Sequence, residues 1–245
     1  MPRTPFVGVK LIFILCSLVL AAPTFLASGM AHAAEEPEIK WKTASRRSRG
    51  DVQWTVFVET QKTPGRPAFR IETSFDVVPV VAAATLMQEM VEAGVATTPG
   101  ETRRVMERFD RGALVHTRID LPFMFADREI AVRIEHTDDP RTGIHRVEWV
   151  DANDLLPPVE EGVLRLASRG YWEFRPATPG RTEATYVTRA EVGGSLPAAL
   201  GDRLLKGQAV TAVERLGDLL AVRERTHVAG PPPSAGFLPA EAKTP

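Results

Sequence analysis

The chain has 245 residues, 44% hydrophobic and 25% charged, enough to bury a core without covalent staples. Thirty basic and thirty-one acidic side chains give a net charge of −1, without the basic excess of a nucleic-acid-binding chain. One cysteine, Cys16, excludes an intrachain disulfide and a cysteine-built metal cluster.

The first 33 residues hold only two charges, Arg3 and Lys10, and no acid. An apolar run from Leu11 to Leu20 follows, and Ala31-His32-Ala33 forms a small-x-small site. This pattern predicts a secretory signal peptide over residues 1–33, cleaved before Ala34. The apolar run is short of the roughly 20 residues a membrane span needs, and Pro23 interrupts its extension. Leu15 stands where a lipid-attachment site would carry a small residue, so Cys16 is read as leaving with the signal. Removal of the signal leaves 212 residues, a net charge of −3 and no cysteine. The processed protein is expected in the periplasm or outside the cell.

After a short polar lead, Asp51–Thr60 is predicted as a strand, Lys62–Pro67 as a turn and Phe69–Val77 as its hairpin partner. Pro79–Ala93, rich in alanine and methionine and followed by Gly94, reads as a helix. Glu101–Asp110 pairs with Ala113–Leu121, Arg128–Thr137 with Ile144–Asp151, and Val163–Arg175 with Thr182–Val192. Each pair is joined by a turn containing glycine. Leu200, Leu204, Ala209, Val213, Leu216, Leu220 and Val222 recur at helical intervals, predicting an amphipathic helix from Pro197 to about Arg225 capped by Ser195. Residues 227–245 are proline-rich and aperiodic and read as a disordered tail. No internal repeat or linker divides residues 38–226, so one α+β domain with seven or eight strands is expected.

Strand alternation assigns an inward set of Val115, Thr117, Ile119, Ile130, Val132, Ile134, Val147, Trp149, Leu164, Leu166, Trp172, Phe174, Ala184, Tyr186 and Thr188. The opposite parity carries arginines and glutamates that suit cross-strand pairing on a wet face. His116 and His136 are read as outward, His145 as near a turn and His227 as the start of the tail. No H-E-x-x-H spacing, G-x-S-x-G elbow or phosphate-cradling glycine loop occurs, so no metal, catalytic nucleophile or cofactor is assigned.

Four segments, in order, carry a resemblance. Leu121-Pro122-Phe123-Met124-Phe125-Ala126-Asp127-Arg128-Glu129 is similar to the P-x-x-x-x-(S/A)-D-R-D/E strand entry of START lipid-binding domains. Gly170-Tyr171-Trp172-Glu173-Phe174-Arg175-Pro176 resembles their G-x-W-x-(L/F)-x-P strand, and Gly180–Tyr186 its G-x-T-x-x-x-Y partner. Val192-Gly193-Gly194-Ser195-Leu196-Pro197 resembles the P-G-G-x-(I/L)-P entry to their C-terminal helix, with Val192 in place of the first proline. The resemblance spans about half the chain. It implies a helix-grip fold: a curved antiparallel sheet around a long C-terminal helix, enclosing an apolar cavity for a lipid or sterol-like molecule. It also implies a gate at Leu121–Asp127 or Gly193–Pro197 and transient membrane contact. Polyketide cyclases and aromatases share the fold, so an enzyme using the same cavity, or a packed interaction module, are the alternatives.

The candidate ligand contacts are accordingly Val115, Thr117, Ile119, Arg128, Ile130, Val132, Trp149, Leu164, Leu166, Trp172, Phe174, Tyr186, Leu200 and Leu204. Arg128 and Tyr186 are the candidate polar anchors. Asp127 and Glu129 are read as structural, with Asp127 capping its turn and Arg128 pairing with a nearby acid.

Overall fold

Alternating β-branched and aromatic residues between glycine-bearing turns give most of the chain its strands, and the two alanine- and leucine-rich stretches give its helices. The computed structural model describes residues 39–50, 52–61, 66–91, 100–120, 126–191 and 198–228. In chain order these form β1 (Trp41–Arg49), β2 (Val52–Glu59), β3 (Ala68–Phe75), α1 (Pro79–Val91), β4 (Glu101–Phe109) and β5 (Gly112–Ile119). There follow β6 (Asp127–Asp139), β7 (Ile144–Asp151), β8 (Val163–Arg165), β9 (Ser168–Pro176), β10 (Thr182–Ala190) and α2 (Ala198–Val228). The expected signal peptide, the segments Leu121–Phe125 and Val192–Pro197, and residues 229–245 lie outside the described residues.

The strands form one curved, unclosed sheet in the order β1-β2-β3-β10-β9-β7-β6-β5-β4. All neighbours on that path are antiparallel, and all four predicted hairpins form. The last strand is therefore inserted in the middle, where β10 joins β3 on one side and β9 on the other. Both helices cover the same face, here called inward. Helix α1 lies against β5, β7 and β9, while α2 lies against β3, β10 and α1.

Ten strands replace the expected seven or eight, for two reasons. Residues 41–49, read as a polar lead, form β1 by main-chain pairing with β2 from Trp41↔Glu59 to Arg49↔Val52. An edge strand needs no apolar face of its own, so alternation gives no sign of it. The segment Val163–Arg175, read as one strand, breaks at Leu166–Ala167 and changes partners. Its first part, β8, runs parallel to the start of β6, while β9 pairs with β7 and β10.

On α2, Ala209, Val213, Leu216 and Leu220 are buried at the predicted spacing. Gly217 lets the helix approach β2 and β3, since a Cβ there would lie 3.3 Å from Val52 Cγ2 and 3.7 Å from Phe75 Cε1. Val222, placed on the apolar stripe by periodicity, is 54% exposed. The helix also runs through His227 to Val228, past the expected end near Arg225.

The outward face carries the expected charges, as in Arg133–Glu135, Arg146–Glu148 and Arg146–Glu173. It is not wholly wet, however. Leu114, Ala131 and Ala152 form a second small core with Leu156 beneath the loop after β7. That loop is tied down by Asn153, whose Oδ1 accepts from Ala131 N at 3.0 Å and whose Nδ2 donates to Leu166 O at 2.6 Å.

Candidate functional site

The ladder registers put the predicted inward residues on one continuous surface. Val115 stands opposite Val132, Thr117 opposite Ile130 and Ile119 opposite Arg128. Leu164 of β8 lies on the other side of Arg128. Ile134 faces Trp149, and Trp172 lies between Val147 and Tyr186. Val115, Arg128, Trp149, Trp172, Phe174 and Tyr186 are buried, while Thr117, Ile119, Ile130, Val132, Leu164 and Leu166 are half-buried. Leu166 sits in the link between β8 and β9. Leu200 and Leu204 fall in α2, but their side chains lie outside what the structure describes.

At the centre, Trp172 meets Tyr186 with ring centroids 4.7 Å apart and Phe174 at 5.7 Å, and Trp149 stacks on Tyr186 at 5.8 Å. Gly170, opposite Trp149 in the β7–β9 ladder, leaves room for the indole ring. The indole Nε1 of Trp149 donates to Ser168 Oγ at 3.2 Å. Burial pushes the Tyr186 phenol up to about 12, against the opposing effect of its hydrogen bond with Thr188, so it is neutral at physiological pH.

The Asp127-Arg128-Glu129 triplet is divided between the two faces, as strand alternation requires. Asp127 bonds Arg118 at 3.1 Å, and Glu129 accepts from Arg165 at 2.6 Å and contacts His116 Nε2 at 3.2 Å, all on the outward side. Burial alone would raise the Glu129 carboxyl, but its bonds to Arg165 and His116 outweigh that and hold it below its ordinary value. Arg128 points inward, 6% exposed, and donates to the main-chain carbonyls of Ala126 and, at 3.4 Å, Asp127. The expected acid partner is not there: among the described residues its guanidinium reaches no carboxylate.

Near this corner the ladders also place Glu101 beside Ile119 and Arg103 beside Thr117. The two form an ion pair at 2.8 Å, with side chains 5% and 14% exposed, and Arg103 Nη1 donates to Glu89 O of α1 at 3.0 Å. This buried pair was not among the sequence candidates, because the charge-rich β4 alternates too weakly to assign its faces. Trp54, Val56, Phe69 and Ile71 extend the inward surface across β2 and β3 and were also missed, although the same parity rule reaches them. Trp54 Nε1 is buried with no hydrogen-bond partner among the described residues.

His136 was read as outward, but it stands opposite Val147 and shares the parity of Ile134, so it lies on the inward side. It stacks on His145 with centroids 5.3 Å apart, and its Nε2 is 3.1 Å from His145 Nδ1. Burial, then the neighbouring His145 and Arg111, depress His136, and burial, then Arg111, depress His145. Between α1 and α2 an open groove of about 300 Å³ is lined by Thr85, Gln88, Glu89, Leu219, Val222 and Arg223. Among the described residues no cluster of three or more histidines, cysteines or acids could hold a metal, and no helix is long and apolar enough to cross a membrane.

No protein-family model matches the chain. It is 27% identical over 193 residues to an uncharacterised protein of Pseudomonas aeruginosa, covering 77% of this chain and 88% of that one. Its fold is similar to that of the STAR-related lipid transfer protein of Xanthomonas axonopodis, with a TM-score of 0.60 at 18% identity, covering 74% of this chain and 98% of that one. Human STARD10 gives 0.59 at 13% identity over 80% and 78%, and human StAR-related lipid transfer protein 5 gives 0.57 at 16% identity over 76% and 88%. At these identities the likeness speaks for the fold. The sheet order, the two helices on one face and these neighbours together establish a START-like helix-grip fold.

Proposed function

We propose that this protein is exported and binds one hydrophobic molecule between the inward sheet face and α2, holding or transferring it without chemical change. The observation that carries the reading is Arg128: a buried guanidinium, bonded among the described residues only to main-chain carbonyls, at the edge of a surface otherwise built from Val115, Ile130, Val132, Trp149 and Trp172. A cation in such a setting is costly without a partner, and the polar end of an amphiphile would supply one. Each CH₂ of the apolar part that leaves water contributes about 0.8 kcal/mol, so few polar contacts are needed. The fold neighbours described as lipid transfer proteins support the same class of ligand.

The test is to express the full chain in a host with an envelope, recover it from the periplasm or medium, and determine its N-terminus and its extractable lipid. The expected result is an N-terminus at Ala34 and a stoichiometric amphiphile identified by mass spectrometry. A protein that carries no lipid and takes none up from labelled vesicles overturns the binding reading, and one retained in the cytoplasm overturns export. Incubation with the recovered molecule separates holding from a cyclase-like activity, which would return a ring-closed or dehydrated product.

A further inference from the structure

We infer that β1, at the open edge of the sheet, is a docking strip for an anionic lipid surface. Between Ile39 and Gly50 the chain carries Lys40, Lys42, Arg46, Arg47 and Arg49 and no acid, whereas the remainder holds more acids than bases. All five side chains are exposed. Arg49 is answered by Glu214 at 3.7 Å and Asp218 at 3.3 Å on α2. Among the described residues Lys40, Lys42, Arg46 and Arg47 make no ion pair.

The register runs these charges along the length of the edge, most of them on one side: Lys42, Arg47 and Arg49 stand opposite Val58, Trp54 and Val52. Arg46 lies opposite Thr55 on the other face, with the change of side at the bulge between Thr43 and Ser45. A strand of this length spans about 30 Å, and its outer rim therefore meets a flat surface with cations along its whole length. Trp41, half-buried at the start of the strand, adds an amphipathic ring suited to a membrane–water boundary.

Charge on an edge strand also blocks pairing with another sheet, and the opposite edge shows what that function alone looks like. Strand β4 mixes Glu101 and Glu107 with Arg103, Arg104 and Arg108, and so builds little net field. Strand β1 is of one sign throughout. Among the described residues no bond orients Lys40, Lys42, Arg46 or Arg47, which suits mobile lipid headgroups better than a protein partner whose fixed carboxylates select a held guanidinium. The inference rests on β1 alone and is independent of what the grip holds.

The experiment compares the full-length protein with Arg46→Gln/Arg47→Gln and Lys40→Gln/Lys42→Gln variants in co-sedimentation with vesicles. The vesicles are phosphatidylcholine alone or phosphatidylcholine mixed with phosphatidylglycerol. The N-terminal segment is common to all forms, so differences between them report on β1. At roughly fivefold per basic residue, each pair lowers partitioning onto the anionic vesicles about twenty-five-fold, leaves partitioning onto neutral vesicles unchanged, and reduces the release caused by salt. A control, Arg133→Gln/Arg175→Gln, removes the same charge from the outward face and leaves anionic binding intact. Wild-type binding by both β1 variants, or an equal loss in the control, overturns the proposal. So does binding to polyglutamate by a protein that ignores the anionic vesicles.

Discussion

Replacing Gly170 with alanine tests the inward surface at its tightest point. A methyl group there would lie 2.2 Å from the carbonyl oxygen of Val187 on β10, 2.5 Å from Trp149 Cζ2 and 2.8 Å from Cη2. Carbon atoms pack at about 3.5–4.0 Å, so the indole must move by about 1 Å. It is held by Ser168 Oγ at 3.2 Å and by Tyr186 across the stack. Overpacking of this kind costs about 1–3 kcal/mol, and the stiffer unfolded chain offsets about 0.4–1 kcal/mol. A net loss of about 1–2 kcal/mol lowers the melting temperature of a domain of this size by about 2–8 °C, read by calorimetry or far-UV circular dichroism. Trp149→Phe removes both of the indole atoms that clash. In the double variant the two losses should therefore add to less than their sum, leaving the Val187 contribution. An alanine variant that melts with the wild type, or strictly additive losses, would refute this account of how the indole is seated.

Three further outcomes are expected. Glu129→Gln lowers thermal stability at neutral pH. Because the native carboxyl titrates below its unfolded value, the wild-type advantage is full above about pH 5 and disappears as the pH falls through the native value, which thermal melts from pH 7 to 3 will show. Tyr186 ionises near 12 in the folded protein, so its tyrosinate absorbance step is absent until strongly alkaline pH and is lost in Tyr186→Phe. Stability should decline above about pH 10, where the unfolded chain ionises first. The His136–His145 stack favours neutral imidazoles, so stability falls as the pH drops below about 6.5 and the unfolded chain takes up protons first. His145→Phe keeps a ring in the stack and reduces that loss, measured by melts between pH 7.5 and 5.

What the sequence made legible were the features built from repetition. Alternation and glycine turns located the four hairpins, and parity alone put Val115, Trp149, Trp172, Phe174 and Tyr186 on one buried face. Arg128 was also found there, but its partner was misjudged, because alternation sends the adjacent Asp127 and Glu129 to the opposite face, where Arg118 and Arg165 engage them. Strand β1 left no trace in the apolar pattern, since its partners are main-chain groups. Strand β8 is three residues long and is defined by β6, far back in the chain. The Glu101–Arg103 pair and the Leu114–Ala131–Ala152 patch depend on what covers them, Glu89 of α1 in one case and the loop after β7 in the other. Neither cover is periodic.

The position of β10 has a consequence for how the protein comes into being. β1, β2 and β3 leave the ribosome early, yet the inner edge of β3 gains its neighbour only when β10 arrives, and Arg181 then reaches Ser74 across 107 residues of chain. Until that moment the nascent protein is two unjoined leaves with Phe69 and Ile71 at an open seam. Closing so long a loop is slow and is repaid only at the end. A chain cut short before β10 therefore leaves the inner edge of β3 unpaired, and a chaperone that binds the growing polypeptide would find its longest-lived target in the strand that waits.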